Sequence, residues 1–332
     1  VVFLHTSLSE AENLASRLLL DRIIALTRQY HKPVAYYLST SAQEVSYLKQ
    51  NYNYPIFTQV VETVRALEMS RDSSLQAQFL QQRGAPPAFP VQRTVVEEKL
   101  RAAGQAGRDL LLPEALSVLE AYGIPVVPSL VAQDAGQAAA AAAQLGFPVA
   151  LKVIASQISH KTDAGGVRLG LKDSGEVRSV VEQMLERLRH AYPDAAIDGI
   201  LVQPMAASGH ELILGGRQDP QFGPLVLLGL GGIFVEIIEE AVLRVAPITR
   251  AEACEMIESL RGGRILKGAR GQPPADLEAL VEALLRLSQL LCDFPQIKEI
   301  DINPLRAYPQ GCLALDARIV LAGANHRSNS EI

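Results

Sequence analysis

Hydrophobic positions recur along the chain with two periods, and the switching between them predicts the elements. Residues 1–4 are a short apolar run. From Ala11 to Gln29, apolar residues at Leu14, Leu18, Ile23 and Leu26 return at helical spacing. PVAYYL (33–38) is apolar almost throughout, the pattern of a strand buried on both faces. Helical patterns over Ala42–Asn51 and Val60–Met69 bracket a short strand at Tyr54–Thr58. Strand–helix alternation with tight connections predicts a parallel sheet flanked by helices, although about three strands are few for a complete doubly wound sheet. Residues 83–108 gather Gly, Pro and mixed charge, lose apolar periodicity and read as a linker.

A second region begins near Asp109. Pro113 opens a helix that Gly123 stops, and Ile124–Val131 is a strand interrupted by Pro128. Asp134 caps an alanine-rich helix (Ala135–Gln144), and strands follow at Pro148–Ala155 and Gly166–Leu171. Asp173 or Ser174 caps a helix over Glu176–Ala191. Strands at Gly199–Met205, Glu211–Arg217, Pro224–Gly229 and Val242–Pro247 precede two helices, Arg250–Arg261 and Ala275–Cys292. The chain closes on a hairpin, Ile297–Ala307 and Cys312–Leu321, around a YPQG turn. Strands and helices mix here without strict alternation, so α/β in the first region gives way to α+β in the second.

Composition narrows the function classes. Of 332 residues 48% are hydrophobic and 20% charged, enough for a sizeable core. A pI near 5.8 and net charge of −5 argue against binding nucleic acid through bulk positive charge. Three widely spaced cysteines without a CxxC pair fit neither a disulfide framework nor a zinc knuckle, which points to a reducing, cytoplasmic setting. The longest apolar stretch, 223–238, is too short and glycine-broken for a membrane span. The chain opens on Val1 rather than Met and is expected to be a stretch of a longer protein.

Four constellations carry candidate chemistry. In LKVIASQISHKTDAGGV (151–167) a buried strand delivers Lys152, and a polar loop follows with His160, Lys161, Thr162, Gly165 and Gly166. Glycines let backbone amides approach an anion, and lysines add the point charge suited to phosphate. The alternative is a hairpin loop whose glycines only make the turn; the two lysines and the histidine favour phosphate. His160 has the near-neutral pKa of a nucleophile able to carry and pass on a phosphoryl group, against the alternative of a loop histidine that only hydrogen-bonds. In the second constellation, Gln203-Pro204-Met205 ends a strand and Glu211 opens the next. An adenine needs an apolar slot with backbone partners, and a ribose an acceptor such as a carboxylate; an exposed hairpin is the alternative. In the third, EIDINPL (299–305), alternation puts Glu299, Asp301 and Asn303 on one strand face and Ile300 and Ile302 on the other, with Asp316 on the returning strand. Such hard oxygens suit Mg²⁺; the alternative is an exposed acidic edge. The fourth, GLGGI (229–233), is not GxGxxG in register and reads as a close-approach loop lining the second pocket, with Arg244 in reach of an anion.

Lys152, SHKTDAGGV (159–167), GHELILGGRQDPQFGP (209–224), GLGGI and EIDINPL together resemble the ATP-grasp part of ADP-forming acyl-CoA synthetases, the acetate–CoA ligases (ADP-forming) related to succinyl-CoA synthetase. The motifs occur in the family's order across 109–322. The resemblance implies an ATP-grasp fold there, in two subdomains of about 109–197 and 198–322, with a polar tail at 323–332. Residues 1–82 resemble the C-terminal part of a flavodoxin-like, succinyl-CoA-ligase-type domain. It further implies ATP/ADP, Mg²⁺ and CoA as ligands, and a histidine relay of phosphoryl in acid + CoA + ATP = acyl-CoA + ADP + phosphate.

Residue by residue, the resemblance puts Lys152, Lys161, Thr162, Gly165 and Gly166 on the nucleotide phosphates. It puts Gln203 and Met205 at the adenine hinge, where succinyl-CoA synthetases have Glu in place of Gln203. Glu211 falls at a nucleotide-contacting carboxylate, Asn303 and Asp316 at the magnesium ligands, His160 at the phosphoryl carrier, and Asp301 at the acid that steadies a phosphohistidine. The family's CoA-binding domain and first phosphohistidine loop are not in these residues. The expected partners are therefore those domains, in the same or a partner chain, within an oligomer and away from nucleic acid and membrane. Two other readings are a degenerate ATP-grasp regulatory module, as in some protein lysine acetyltransferases, and an ATP-grasp carboxylate–amine ligase.

Overall fold

The computed structural model describes residues 2–7, 9–82, 84–155, 164–232, 241–268 and 273–323. They fall into two compact units, residues 1–83 and 84–332. The first carries β1 (Val2–Thr6), α1 (Glu10–Tyr30), β2 (Ala35–Ser39), α2 (Ala42–Asn51), β3 (Ile56–Phe57) and α3 (Val60–Gln82). The three strands pair in parallel in the order β1-β2-β3, as the alternation predicts. Leu20, Ile23, Tyr36, Leu38, Leu48 and Ile56 form their core. The Ser9 hydroxyl accepts the Glu12 amide and the Glu12 carboxylate accepts the Ser9 amide, a reciprocal cap that starts α1. Two details differ from the expectation. Helix α1 is apolar on more than one side, and it buries the Leu20–Ile23 stripe while Leu14, Leu18 and Leu26 are exposed. Helix α3 continues past Met69 to Gln82, because SSLQAQFLQQ contains good helix formers and nothing that stops a helix before Gly84.

The second unit contains α4 (Arg93–Gln105), α5 (Leu112–Ala121), β4 (Leu130–Ala132), α6 (Ala135–Leu145), β5 (Val149–Ile154), β6 (Val167–Leu171), α7 (Ser174–Ala191), β7 (Gly199–Pro204), β8 (His210–Asp219), β9 (Gly223–Leu230), β10 (Ala241–Val245), α8 (Arg250–Ser259), α9 (Leu277–Asp293), β11 (Ile297–Ala307), β12 (Cys312–Ala314) and β13 (Arg318–Leu321). The segment read as a linker therefore holds a helix. Val96, Leu100 and Ala103 recur at i, i+4 and i+7, a short stripe among charged residues that suffices to bury α4 in the main core.

Two sheets organise this unit. The smaller runs β4-β7-β5-β6, antiparallel throughout, with Val149, Leu151, Val153, Ile200 and Val202 packed with residues of α6 and α7. The larger runs β10-β9-β8-β11-β12, with β13 also paired to β11. Leu280, Leu284, Leu287 and Leu291 of α9 join Leu212, Leu214, Val226, Leu228, Ile300 and Ile302 in its core. The approach of α9 to β8 is close: a Cβ at Gly216 would lie 2.3 Å from Leu291 Cδ1 and 2.7 Å from the Leu225 carbonyl oxygen. The expected subdomain division at 197/198 shifts accordingly. Strand β7 belongs to the smaller sheet, and α5 packs in the core of the larger one. Both cores need partners from distant sequence, which local periodicity does not reveal. Among the described residues no helix is long and apolar enough to cross a membrane.

Candidate functional site

The face of the smaller sheet opposite α6 and α7 carries Ala150, Lys152 and Ile154 on β5 and Leu201 and Gln203 on β7. Lys152 registers with Leu201 and Ala150 with Gln203, so Lys152 and Gln203 are diagonal neighbours on one face. Both are buried. The Lys152 ammonium donates to Asp316 Oδ2 at 2.7 Å and to the Leu315 carbonyl at 2.8 Å. Residues 164 apart in sequence thus meet between the two sheets. Asp316 was expected on the returning strand. Instead β12 ends at Ala314 and β13 begins at Arg318, so Asp316 sits in the connection, outside the ladder and able to reach Lys152. Among the described residues the buried Gln203 Nε2 atom has no hydrogen-bond partner, and it is a polar group on the lysine's side of the sheet. Met205 follows it, 38% exposed, with its amide donating to the Pro148 carbonyl at 2.9 Å.

On the larger sheet, Ile300 and Ile302 of β11 are buried while Glu299, Asp301 and Asn303 alternate to the other face, as their spacing predicts. That alternation breaks at Asn303-Pro304. Ile302 registers with Leu214 and Leu305 with Leu212, three steps on β11 against two on β8. The extra residue is a bulge, and it resets which side chains point where. Leu305 and Ala307 are buried in its wake, and Arg306 turns to the face of Asp301 and Asn303. There Arg306 registers directly with Glu211 of β8, and its guanidinium pairs with the Glu211 carboxylate. The same guanidinium donates to the Ala206 and Ala207 carbonyls at 3.2 and 3.0 Å. Strict alternation would assign Arg306 to the core; the proline inside the strand is the signal that exposes the error.

The glycine loop lies against Glu211 from the other side. The Gly231 amide donates to the Glu211 carbonyl at 2.7 Å, and a Cβ at Gly232 (φ +65°) would stand 2.9 Å from Glu211 Oε2. The glycine loop, expected to line the second constellation, thus touches its Glu211 through Gly231 and Gly232, while Ile233 lies outside the described residues. Arg244, expected near an anion, instead pairs with Glu255 of α8 at 3.3 Å. Of the first constellation, Gly165 and Gly166 are buried: Gly165 (φ +73°) would bring a Cβ 2.9 Å from the Arg187 guanidinium, and the Gly166 carbonyl accepts the Val153 amide at 2.8 Å. Their visible work is to make the turn into β6. His160, Lys161 and Thr162 lie outside the described residues.

Charge accumulates where the sheets face each other. Burial pushes the Asp301 carboxyl above its ordinary range, and Glu299 and Asp316 add to the rise while Arg318 opposes it. Among the described residues no three His, Cys, Asp or Glu side chains gather to hold a metal by themselves. Asn303 and Asp316 nonetheless suit Mg²⁺, which takes one or two protein oxygens and completes its shell with phosphate and water. The donors are hard oxygens, and the Asp316 carboxylate already attracts a cation, the Lys152 ammonium. The arrangement can therefore bind a polyanion with its counter-cation: a lysine and a buried amide on one sheet, carboxylates and an amide on the other.

Comparison with known proteins gives the family. The ATP-grasp domain family matches residues 101–321. The β subunit of acetate–CoA ligase (ADP-forming) I of Pyrococcus furiosus is 42% identical over 224 residues, 68% of this chain and 97% of that subunit. The single-chain acetate–CoA ligase (ADP-forming) I of Archaeoglobus fulgidus is 37% identical over 282 residues, 85% of this chain but 41% of the relative. Among solved structures, acetyl-coenzyme A synthetase 1 of Ca. Korarchaeum cryptofilum, in complex with coenzyme A and Ca-AMPCP, superposes with a TM-score of 0.66 at 40% identity, covering 68% of this chain and 99% of that one. The chain belongs to the ATP-grasp family, among the ATP-grasp parts of ADP-forming acyl-CoA synthetases.

Proposed function

We propose that this chain binds Mg·ATP between its two sheets and moves phosphoryl through His160 in the reaction acid + CoA + ATP = acyl-CoA + ADP + phosphate. The observation that carries the reading is the meeting of Lys152, on the smaller sheet, with Asp316, beside the larger one, 2.7 Å apart. A lysine on a rigid strand is set to neutralise the β- and γ-phosphates, and its present partner is a carboxylate that must be released when phosphates arrive. Gln203 and Met205 then border the base, and Glu211 accepts from the sugar. Asn303 and Asp316 would hold Mg²⁺, which supplies charge neutralisation at the phosphates when bound.

A His160 ring nitrogen attacks the γ-phosphorus, the bond to the β-bridging oxygen breaks, ADP leaves and the ring proton passes to solvent. Asp301 steadies the resulting phosphohistidine. The acyl and CoA sites lie on a separate domain or subunit, which is why a covalent carrier is needed. One related structure is described with a phosphohistidine segment pointing towards the nucleotide binding site. The β-subunit relative and the longer single-chain relative support a partner supplying the CoA-binding part, in an oligomer. Free Cys254, Cys292 and Cys312 fit a cytoplasmic setting.

Incubation with γ-labelled ATP and Mg²⁺ should yield an acid-labile, base-stable label that His160→Ala abolishes; equal labelling of the variant removes the relay. Lys152→Ala should keep its circular dichroism and lose affinity for ATP by about tenfold or more in calorimetry. Unchanged affinity would remove Lys152 from the nucleotide site.

A further inference from the structure

We propose that Arg306 is a positioning residue for nucleotide recognition, setting the Glu211 carboxylate and the 206–207 loop in one geometry that reads the ribose hydroxyls. The inference rests on the nucleotide reading above and adds to it a residue that touches no nucleotide itself.

Three contacts converge on this side chain. Its guanidinium takes the Glu211 carboxylate from the neighbouring strand. Its other terminal nitrogen ties the Ala206 and Ala207 carbonyls, three and four residues beyond Gln203. Its aliphatic stem lies beneath the same loop, where a Cβ at Gly209 would come within 2.9 Å of Arg306 Cγ and 2.6 Å of the Ala307 carbonyl oxygen. Glycine at 209 is what lets the loop settle on the arginine. Glu211 is thereby clamped, with Arg306 on one side and the Gly231–Gly232 turn on the other.

The electrostatic logic is direct. A bare carboxylate beside a triphosphate repels it, and a freely rotating one presents no fixed acceptor. Pairing with a half-buried, permanently charged guanidinium offsets the repulsion and fixes the carboxylate plane, leaving lone pairs for sugar hydroxyls. A planar fork can bridge a carboxylate and two carbonyls at once; a lysine ammonium on a flexible stem cannot hold all three in this geometry. The bulge at Asn303-Pro304 is what delivers the fork to this face.

The test compares ATP with 2′,3′-dideoxy-ATP, by calorimetry on the full chain with Mg²⁺. Wild type should prefer ATP by about tenfold or more, the scale set by lost hydrogen bonds to a charged acceptor. In Arg306→Ala and in Arg306→Lys this ratio should fall towards one, with dideoxy-ATP affinity changing much less than ATP affinity. Arg306→Lys keeps the charge, so it carries the test if the alanine variant does not fold. A purely structural role predicts a lower melting temperature and equal weakening for both nucleotides; an unchanged ratio in a folded variant overturns the inference while leaving the nucleotide reading intact. A wild-type ratio of one overturns it as well. If wild type binds neither nucleotide, the nucleotide reading falls and the inference with it.

Discussion

The two sheets of the second unit solve the same problem in different ways. Each must give one face to helices and the other to polar chemistry. In the smaller sheet, β5 and β7 pair in unbroken register over 149–154 and 199–204, and the polar residues Lys152 and Gln203 sit two positions apart on one face. In the larger sheet, β11 changes parity midway, so that Asp301 and Asn303 before the bulge and Arg306 after it share a face that simple alternation denies them. A regular strand can only offer every second residue to a site. The bulge lets β11 offer acids at one end and a cation at the other without placing a charge in the core.

The sharpest way to break this comparison is to remove the extra residue. Deleting Pro304 restores strict alternation, which drives Arg306 into the core beneath β11 or turns Leu305 and Ala307 out of it. An unpaired buried guanidinium costs several kcal/mol, on the order of 3–5, so the deletion should abolish a cooperative thermal transition. Pro304→Ala keeps the residue count and should retain a cooperative melt. If both variants melt alike, parity on β11 is not what holds Arg306 in place.

On the smaller sheet the matching test is Leu151→Ala. Leu151 is fully buried and faces α6 and α7 from the strand that carries Lys152. The truncation should cost about 2–5 kcal/mol in urea unfolding, through the lost apolar contacts and the cavity left between strand and helices. A loss below about 1 kcal/mol would show this layer to be looser than its burial implies.

What could be read from the chain follows the same divide. Lys152, Asp301 and Asn303 were legible because they stand on strands whose apolar neighbours keep step. The cap Asp134 is legible, and Asp173 is one of two candidates, because a single side chain and its own helix decide them. Arg306 was not, since its face depends on a register shift against β8, a partner about 90 residues away. The partner of Arg244 is hidden for a related reason: its strand position allows an anion, and the one it meets, Glu255 of α8, is a tertiary neighbour. Helix α4 is missed because a stripe of three buried apolar residues amid charged ones looks like a linker until the core they enter is known. The Lys152–Asp316 contact joins two residues that the spacing singles out, yet spacing alone could not say that Asp316 would lie outside its strand to make it.

The smallest effect distinguishes how each lobe anchors its helices. Asp134 caps α6 by accepting the Gln137 amide at 2.8 Å and does no more. Asp276 caps α9 through the Ala279 amide at 3.1 Å, and its second oxygen accepts the Gly311 amide at 2.9 Å, in the turn between β11 and β12. One carboxylate thus pins the helix beneath the larger sheet to the hairpin whose strand carries the bulge. Asp134→Ala should cost about 1 kcal/mol and Asp276→Ala about 2, because the second loses a hydrogen bond to the hairpin besides the cap. The Gly311 amide, then the Ala279 amide, hold the Asp276 carboxyl below its ordinary range. The folded state therefore binds this proton less readily than the unfolded chain. Its contribution is fully present above the unfolded carboxyl range near pH 4, and is lost as pH falls below that range through the depressed folded value. The stability difference between wild type and Asp276→Ala should accordingly shrink on acidification below about pH 4. A difference that stays constant between pH 7 and pH 2 would show that Asp276 acts through packing rather than through the two amides it accepts.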